Sequence, residues 1–128
     1  MNRRTLLALQ AGLLFLFANP ARAQNGDDGV VGFDEAVAAK SSILVHVTAP
    51  WCGTCTIQKP IVAELLAKPE FQNIKLFDVD FDTQKGALES FRVQNQSTMI
   101  VFKGDKEVGR DVGQTDPTAI EALLRKSL

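Results

Sequence analysis

Ile43-Leu44-Val45-His46-Val47-Thr48-Ala49-Pro50-Trp51-Cys52-Gly53-Thr54-Cys55 carries an apolar run into a pair of cysteines, and Pro60 follows within an amphipathic stretch. Ile43 to Thr48 is rich in β-branched residues and apolar on both alternations, the pattern of a central strand covered on both faces. Ile57, Ile61, Val62, Leu65 and Leu66 then recur at helical spacing up to Lys68, and Pro69 stops the helix. The cysteines therefore sit where a strand hands over to the first turn of a helix. Unsatisfied N–H groups and the positive end of the helix dipole meet at that point, and both favour thiolate over thiol. Thiolate is the nucleophile, so Cys52 is expected to attack and Cys55 to resolve.

On either side of this stretch the chain alternates helix and strand. Before it, Asp34 can cap a helix whose apolar side is Phe33, Ala36, Val37 and Ala39, broken by Ser41 and Ser42. After it, Pro60 falls inside the amphipathic helix and is expected to kink it. Ile74 to Asp80 reads as a strand, and Thr83 can cap a short helix to Phe91 that Gly86 weakens. Thr98 to Lys103 is a second buried strand. Gly104, Asp105 and Lys106 form a turn, so Glu107 to Val112 should return antiparallel. Asp116 caps a last helix with Pro117 at its first position and Ile120, Leu123 and Leu124 on its apolar face. One α/β domain follows, a mixed sheet of about four strands with helices on both faces.

The 128 residues, 45% hydrophobic and 23% charged, suit one globular domain with a single core. The N-terminus reads differently: Arg3 and Arg4 precede an apolar segment from Leu6 to Ala18, and Ala21-Arg22-Ala23 follows. That is the layout of a signal peptide, with removal expected after Ala23. The segment is shorter than the roughly 20 apolar residues a membrane span needs; retention as an anchor is the alternative. The expected division is residues 1–23 as signal peptide, 24–32 as a flexible lead and 33–128 as the folded domain. Without residues 1–23, 11 basic side chains face 15 acidic ones, which gives no basic surface for nucleic acid. An exported chain with one close cysteine pair works where disulfides persist, so its resting state depends on a redox partner.

Trp51-Cys52-Gly53-Thr54-Cys55 between a strand and a helix with Pro60 resembles the thioredoxin family, and the element order is similar from about Asp34 to Leu128. The resemblance implies Cys52 as nucleophile, Cys55 as resolving thiol and Trp51 as a cover beside them, with Trp51, Gly53, Thr54 and Ser97 among the substrate-binding positions. It also implies that Gly113 and the backbone around Thr98 form a groove for an extended substrate segment. No cofactor beyond the Cys52–Cys55 disulfide, no metal and a monomeric state are expected.

Three positions depart from the family pattern. Thioredoxins have a cis-proline where this chain has Ser97. A cis bond before a non-proline residue costs roughly 2.5 to 4 kcal/mol, so a trans bond or a strained loop is expected at Gln96 to Ser97. The Ser97 hydroxyl offers a hydrogen bond to a thiolate or mixed disulfide. His46 replaces the family's buried aspartate, and Asp78 on the adjacent strand replaces its partner lysine. An acid and a base have thus exchanged strands, and a buried His46–Asp78 couple beneath Cys55 is expected to move protons during exchange.

A purely structural role for the disulfide competes weakly, because so short a loop contributes only about 2 kcal/mol. A four-ligand zinc or iron-sulfur site would need a second chain, since the chain has no other cysteine and no histidine but His46. An adaptor that uses the groove for binding with little turnover is a further alternative. Thiol-disulfide exchange is the leading reading. Its direction follows from resemblance alone: no inserted helical domain of the oxidant branch is present, which favours a reductant over an oxidant or isomerase. A reductant in an oxidising compartment needs recharging, and the family precedent is a membrane transporter of thiol electrons.

Overall fold

The structure, a computed structural model, describes residues 29–128. The expected signal peptide 1–23 and lead residues 24–28 lie outside the described residues. In chain order the elements are α1 (Phe33–Ala38), β1 (Ser42–Thr48), α2 (Gly53–Leu66), a 3₁₀ turn (Pro69–Phe71), β2 (Lys75–Asp80), α3 (Lys85–Ser90), β3 (Thr98–Lys103), β4 (Lys106–Val112) and α4 (Pro117–Arg125). The sheet order is β2-β1-β3-β4. β1 runs parallel to β2, with α2 as the crossover, and antiparallel to β3, which pairs antiparallel with β4.

The double-sided apolar pattern of β1 has its expected consequence. Ile43, Val45 and Val47 face one core with Val79, Ile100 and Phe102, closed by Ala36 of α1 and by Ala87 and Leu88 of α3. Leu44 faces the opposite core with Met99 and Val101, closed by Val62 and Leu65 of α2 and by Ile120, Leu123 and Leu124 of α4. Each fully buried aliphatic or phenyl side chain contributes roughly 1.5–3 kcal/mol relative to exposure. By the strand's two-residue period His46 follows Leu44 onto the α2 face, where it is 1% exposed. That alternation puts a titratable ring under the helix that carries the cysteines.

Several local expectations need correction. Asp34 does not cap α1: the cap is Gly32, at φ +85°, and Asp34 lies in the first turn. Val30, inside the expected lead, packs on the first core, and its carbonyl accepts from Phe33 N at 3.1 Å. Thr83 does not cap α3. Instead Asp80 Oδ1 takes the Asp82 and Thr83 N–H groups, and α3 begins two residues later. Ala39 and Ile57, assigned to apolar helix faces, are exposed; the buried position beside Ile57 belongs to Gln58. The last helix agrees closely: Asp116 Oδ1 accepts from Thr118 N at 3.0 Å, with Pro117 at the first position.

β4 contains a bulge opposite Val101 and Phe102. Beside it, Gly109 has no room for a Cβ, which would sit 2.8 Å from Leu123 Cδ1 and 3.2 Å from Val101 Cγ2. A larger residue there would require the end of the Leu123 side chain on α4 to shift.

Candidate active site

Cys52 ends the loop after β1 in extended backbone and is the N-cap residue of α2. Its sulfur takes the place that a serine or aspartate oxygen usually fills: Cys52 Sγ accepts from Cys55 N at 3.1 Å. Cys52 and Cys55 are joined in a disulfide. After reduction the same N–H group and the helix dipole act on the Cys52 sulfur, and both stabilise its negative charge. Cys55 is fully buried, whereas Cys52 is 3% exposed, so Cys52 is the member of the pair nearer solvent. Cys55 Sγ lies 3.9 Å from the Val47 carbonyl oxygen, an acceptor for its thiol in the reduced state. Gly53 and Thr54 form the first turn of α2, exposed and half-buried respectively.

On one side of the disulfide stands Trp51, 60% exposed. Its indole N–H points to the Asp82 carboxylate, at 2.9 and 3.1 Å from the two oxygens, and its ring meets the edge of Phe81 at 6.3 Å between centroids. Phe81 also packs on Ala49, Cys52 and Cys55. The turn that presents Asp82 is fixed by Asp80, whose carboxyl sits below the usual carboxylate range because the Asp82 and Thr83 N–H groups bond its charged form.

The opposite wall is polar and buried. Ser97 occupies the left-handed region at φ +62°, and no peptide bond among the described residues is cis. A trans bond with local strain therefore satisfies the expectation for this loop; a non-glycine residue held there costs on the order of 1–2 kcal/mol. Two hydrogen bonds secure it. Ser97 N donates to Val47 O at 2.8 Å, which a proline could not do, and Ser97 O accepts from Gly113 N at 3.0 Å. Gly113, at φ +73°, thus sits directly against Ser97, joining the loop before β3 to the loop after β4. Thr98 is buried, with Oγ1 donating to Asn95 O at 2.7 Å. The Ser97 hydroxyl makes no hydrogen bond to either sulfur among the described residues.

His46 and Asp78 are register partners on β1 and β2, but the expected buried couple does not form, because Asp78 is exposed. The hydrogen-bond partner of His46 is Gln58, whose Oε1 lies 2.8 Å from His46 Nε2. Burial holds the imidazole below its usual 6.5; the Gln58 hydrogen bond and then the Asp78 charge oppose this, and Lys59 adds to it. His46 is therefore neutral at pH 7. Gln58 is itself fully buried, and its Nε2 donates to Ser97 O at 3.1 Å and Gln114 O at 2.9 Å. Sequence reading missed this residue. The available signal was a polar side chain one position out of step with Ile57, Ile61 and Leu65, four residues before Val62.

The profile of the thioredoxin family matches residues 28–126. The chain belongs to the thioredoxin family. A thioredoxin of Chlamydia trachomatis is 33% identical over 88 residues, 69% of this chain and 84% of that protein. The crystal structure of Trxlp from Edwardsiella tarda is 41% identical, with a TM-score of 0.71, covering 73% of this chain and 90% of that one. Oxidised thioredoxin O2 of Arabidopsis thaliana shares the fold at 23% identity and a TM-score of 0.65. As a thioredoxin-family member with a Cys52–Cys55 disulfide, the protein is a thiol-disulfide oxidoreductase acting on protein disulfides. Among the described residues of this thioredoxin-like chain, no group of three or more His, Cys, Asp or Glu side chains is arranged to hold a metal ion.

Proposed function

We propose that the protein is an exported, periplasmic reductant of protein disulfides, with Cys52 as nucleophile, Cys55 as resolving thiol and His46 as the proton-transfer group. The observation that carries this reading is the Cys52 sulfur at the helix cap, accepting Cys55 N–H and partnered by a buried Cys55. In the reaction, Cys52 thiolate attacks one sulfur of the substrate disulfide. The S–S bond breaks, and its electron pair leaves on the other substrate sulfur, which takes a proton. Cys55 loses its proton to His46 and attacks Cys52 Sγ, expelling the second substrate thiolate and closing the Cys52–Cys55 bond. Two electrons pass from the dithiol to the substrate.

Export is supported by Arg3, Arg4, the Leu6–Ala18 segment and the Ala21-Arg22-Ala23 site. The reductant direction is supported by the uninterrupted passage from β1 through α2 to β2, with only a 3₁₀ turn between α2 and β2 and no inserted helical domain. Trp51, Ile57 and Val112 are exposed, and the first two flank the cysteines while Val112 precedes Gly113; this apolar rim suits an extended protein segment in the groove at Ser97, Thr98 and Gly113. Working in an oxidising compartment, the protein takes its electrons from a membrane transporter of thiol electrons by the same exchange in reverse, acts as a monomer and needs no cofactor beyond its disulfide.

Insulin reduction by the wild type, its loss to the background of the assay in Cys52→Ser, and a trapped mixed disulfide in Cys55→Ser are the expected results. Fractionation of the producing cell should place a chain beginning at Gln24 in the periplasm. A Cys52→Ser variant that still reduces insulin, or an uncleaved cytoplasmic chain, would refute the corresponding half of the proposal.

A further inference from the structure

We infer that Gln58 is a positioning residue for exchange, whose one buried amide fixes the tautomer of His46 and ties together the two loops that line the groove. The amide has only one workable orientation. Its two N–H bonds are used by the carbonyl oxygens of Ser97 and Gln114, at 3.1 and 2.9 Å. Reversing it would set the amide oxygen against two other oxygens and leave the N–H groups facing the ring. Oε1 therefore faces His46 Nε2 at 2.8 Å as an acceptor, and Nε2 must carry the hydrogen. The basic nitrogen of neutral His46 is consequently Nδ1.

The same amide spans elements far apart in sequence. His46 lies on β1, Ser97 before β3 and Gln114 after β4, and Ser97 O also accepts from Gly113 N. Gln58 is anchored on α2 one turn beyond Cys55, so the helix that carries the cysteines and the two groove loops share one fixed point. No side chain without both donor and acceptor atoms could make these three bonds at once. Pre-set loops lower the cost of ordering them when a substrate binds.

The inference rests on the Cys52–Cys55 pair acting in exchange on protein disulfides. It does not rest on export, on the direction of electron flow or on His46 carrying a proton. His46 is the only histidine, so nitrogen-15 NMR of the imidazole in the full wild-type domain at alkaline pH reads a single ring. The expected spectrum is the Nε2–H tautomer; an Nδ1–H tautomer or an even mixture overturns the inference, whether or not any variant folds. In folded Gln58→Met, close in volume, the tautomer preference should be lost. KM for insulin should rise roughly tenfold, beyond any change in the rate with a small aromatic disulfide, which reads the exchange chemistry without the groove. A folded variant that keeps the tautomer, keeps the insulin KM or loses both substrates equally overturns it. Failure of the wild type to reduce insulin at all would instead count against the proposed function and leave the tautomer result standing.

Discussion

The two walls of the disulfide are built in opposite ways. The Trp51 wall is open to solvent and made from residues near one another on two adjoining loops: Asp80 shapes a turn, the turn presents Asp82, and Asp82 holds the indole. The His46 wall is buried and assembled from four distant segments that meet at Gln58. An exposed hydrogen bond exchanges readily with water and contributes little net. A buried one contributes about 1 kcal/mol, and removing one partner costs about 1–3 kcal/mol by leaving the other unsatisfied. The first wall can therefore vary cheaply, whereas the second must be altered as a unit. His46, Gln58 and Ser97 form one connected arrangement.

That contrast yields effects of decreasing size. His46→Ala should slow turnover by up to about 10²-fold and shift the pH profile while the fold survives; an unmoved profile would remove His46 from proton transfer. The next effect is on stability. Because the folded-state affinity of His46 for protons is lowered, the unfolded chain binds the extra proton first as pH falls below 6.5. Stability should then drop by at most about 1.4 kcal/mol per pH unit until the folded ring also titrates, with no contribution above 6.5. Urea unfolding of wild type and His46→Ala across this range should differ in slope; identical slopes would mean that the ring is not buried in solution.

Smaller changes separate the walls further. Ser97→Gly removes the side-chain conflict at φ +62° and should be neutral or stabilising by up to about 1 kcal/mol, read as a shift in the urea midpoint. A clear loss would show that the hydroxyl carries more than the backbone does. Asp82→Ala should cost only about 0.5 kcal/mol, yet alter the fluorescence of Trp51, the one tryptophan in the chain. Insulin kinetics should keep the wild-type pH profile, since this wall does not touch His46.

The same contrast marks what was legible in the sequence. β1, β3, the hairpin and the Asp116–Pro117 start of α4 were readable because each depends on local pattern and turn chemistry. The cysteine pair was readable because its meaning lies in the strand-to-helix junction beside it. The caps at Asp34 and Thr83 failed because each helix starts elsewhere: α1 follows Gly32 in a left-handed turn, which puts Asp34 inside the first turn, and Thr83 N is drawn into the Asp80 turn before α3 begins after Gln84. His46 was recognised as buried and titratable, but its partner was misassigned. Strand register does bring Asp78 alongside, yet β2 lies at the sheet edge and its Asp78 position is open to water. The true partner comes from a helix packed on the sheet; helical spacing with Val62 could mark Gln58 as facing inward, but no spacing pairs it with His46. Ile57 misled because an apolar side chain near helical spacing suggests burial, whereas the buried positions of α2 are Cys55, Gln58, Val62 and Leu65 and Ile57 faces solvent.

The reduction potential of the Cys52–Cys55 couple, measured by equilibration with glutathione or dithiothreitol buffers, bears most directly on the proposed direction of electron flow. A reductant with this fold should lie near the thioredoxin value of about −270 mV, allowing for a somewhat more oxidising couple with threonine between the cysteines. A potential near about −120 mV, that of a strong periplasmic oxidant, would reverse the assignment and make the protein a donor of disulfides.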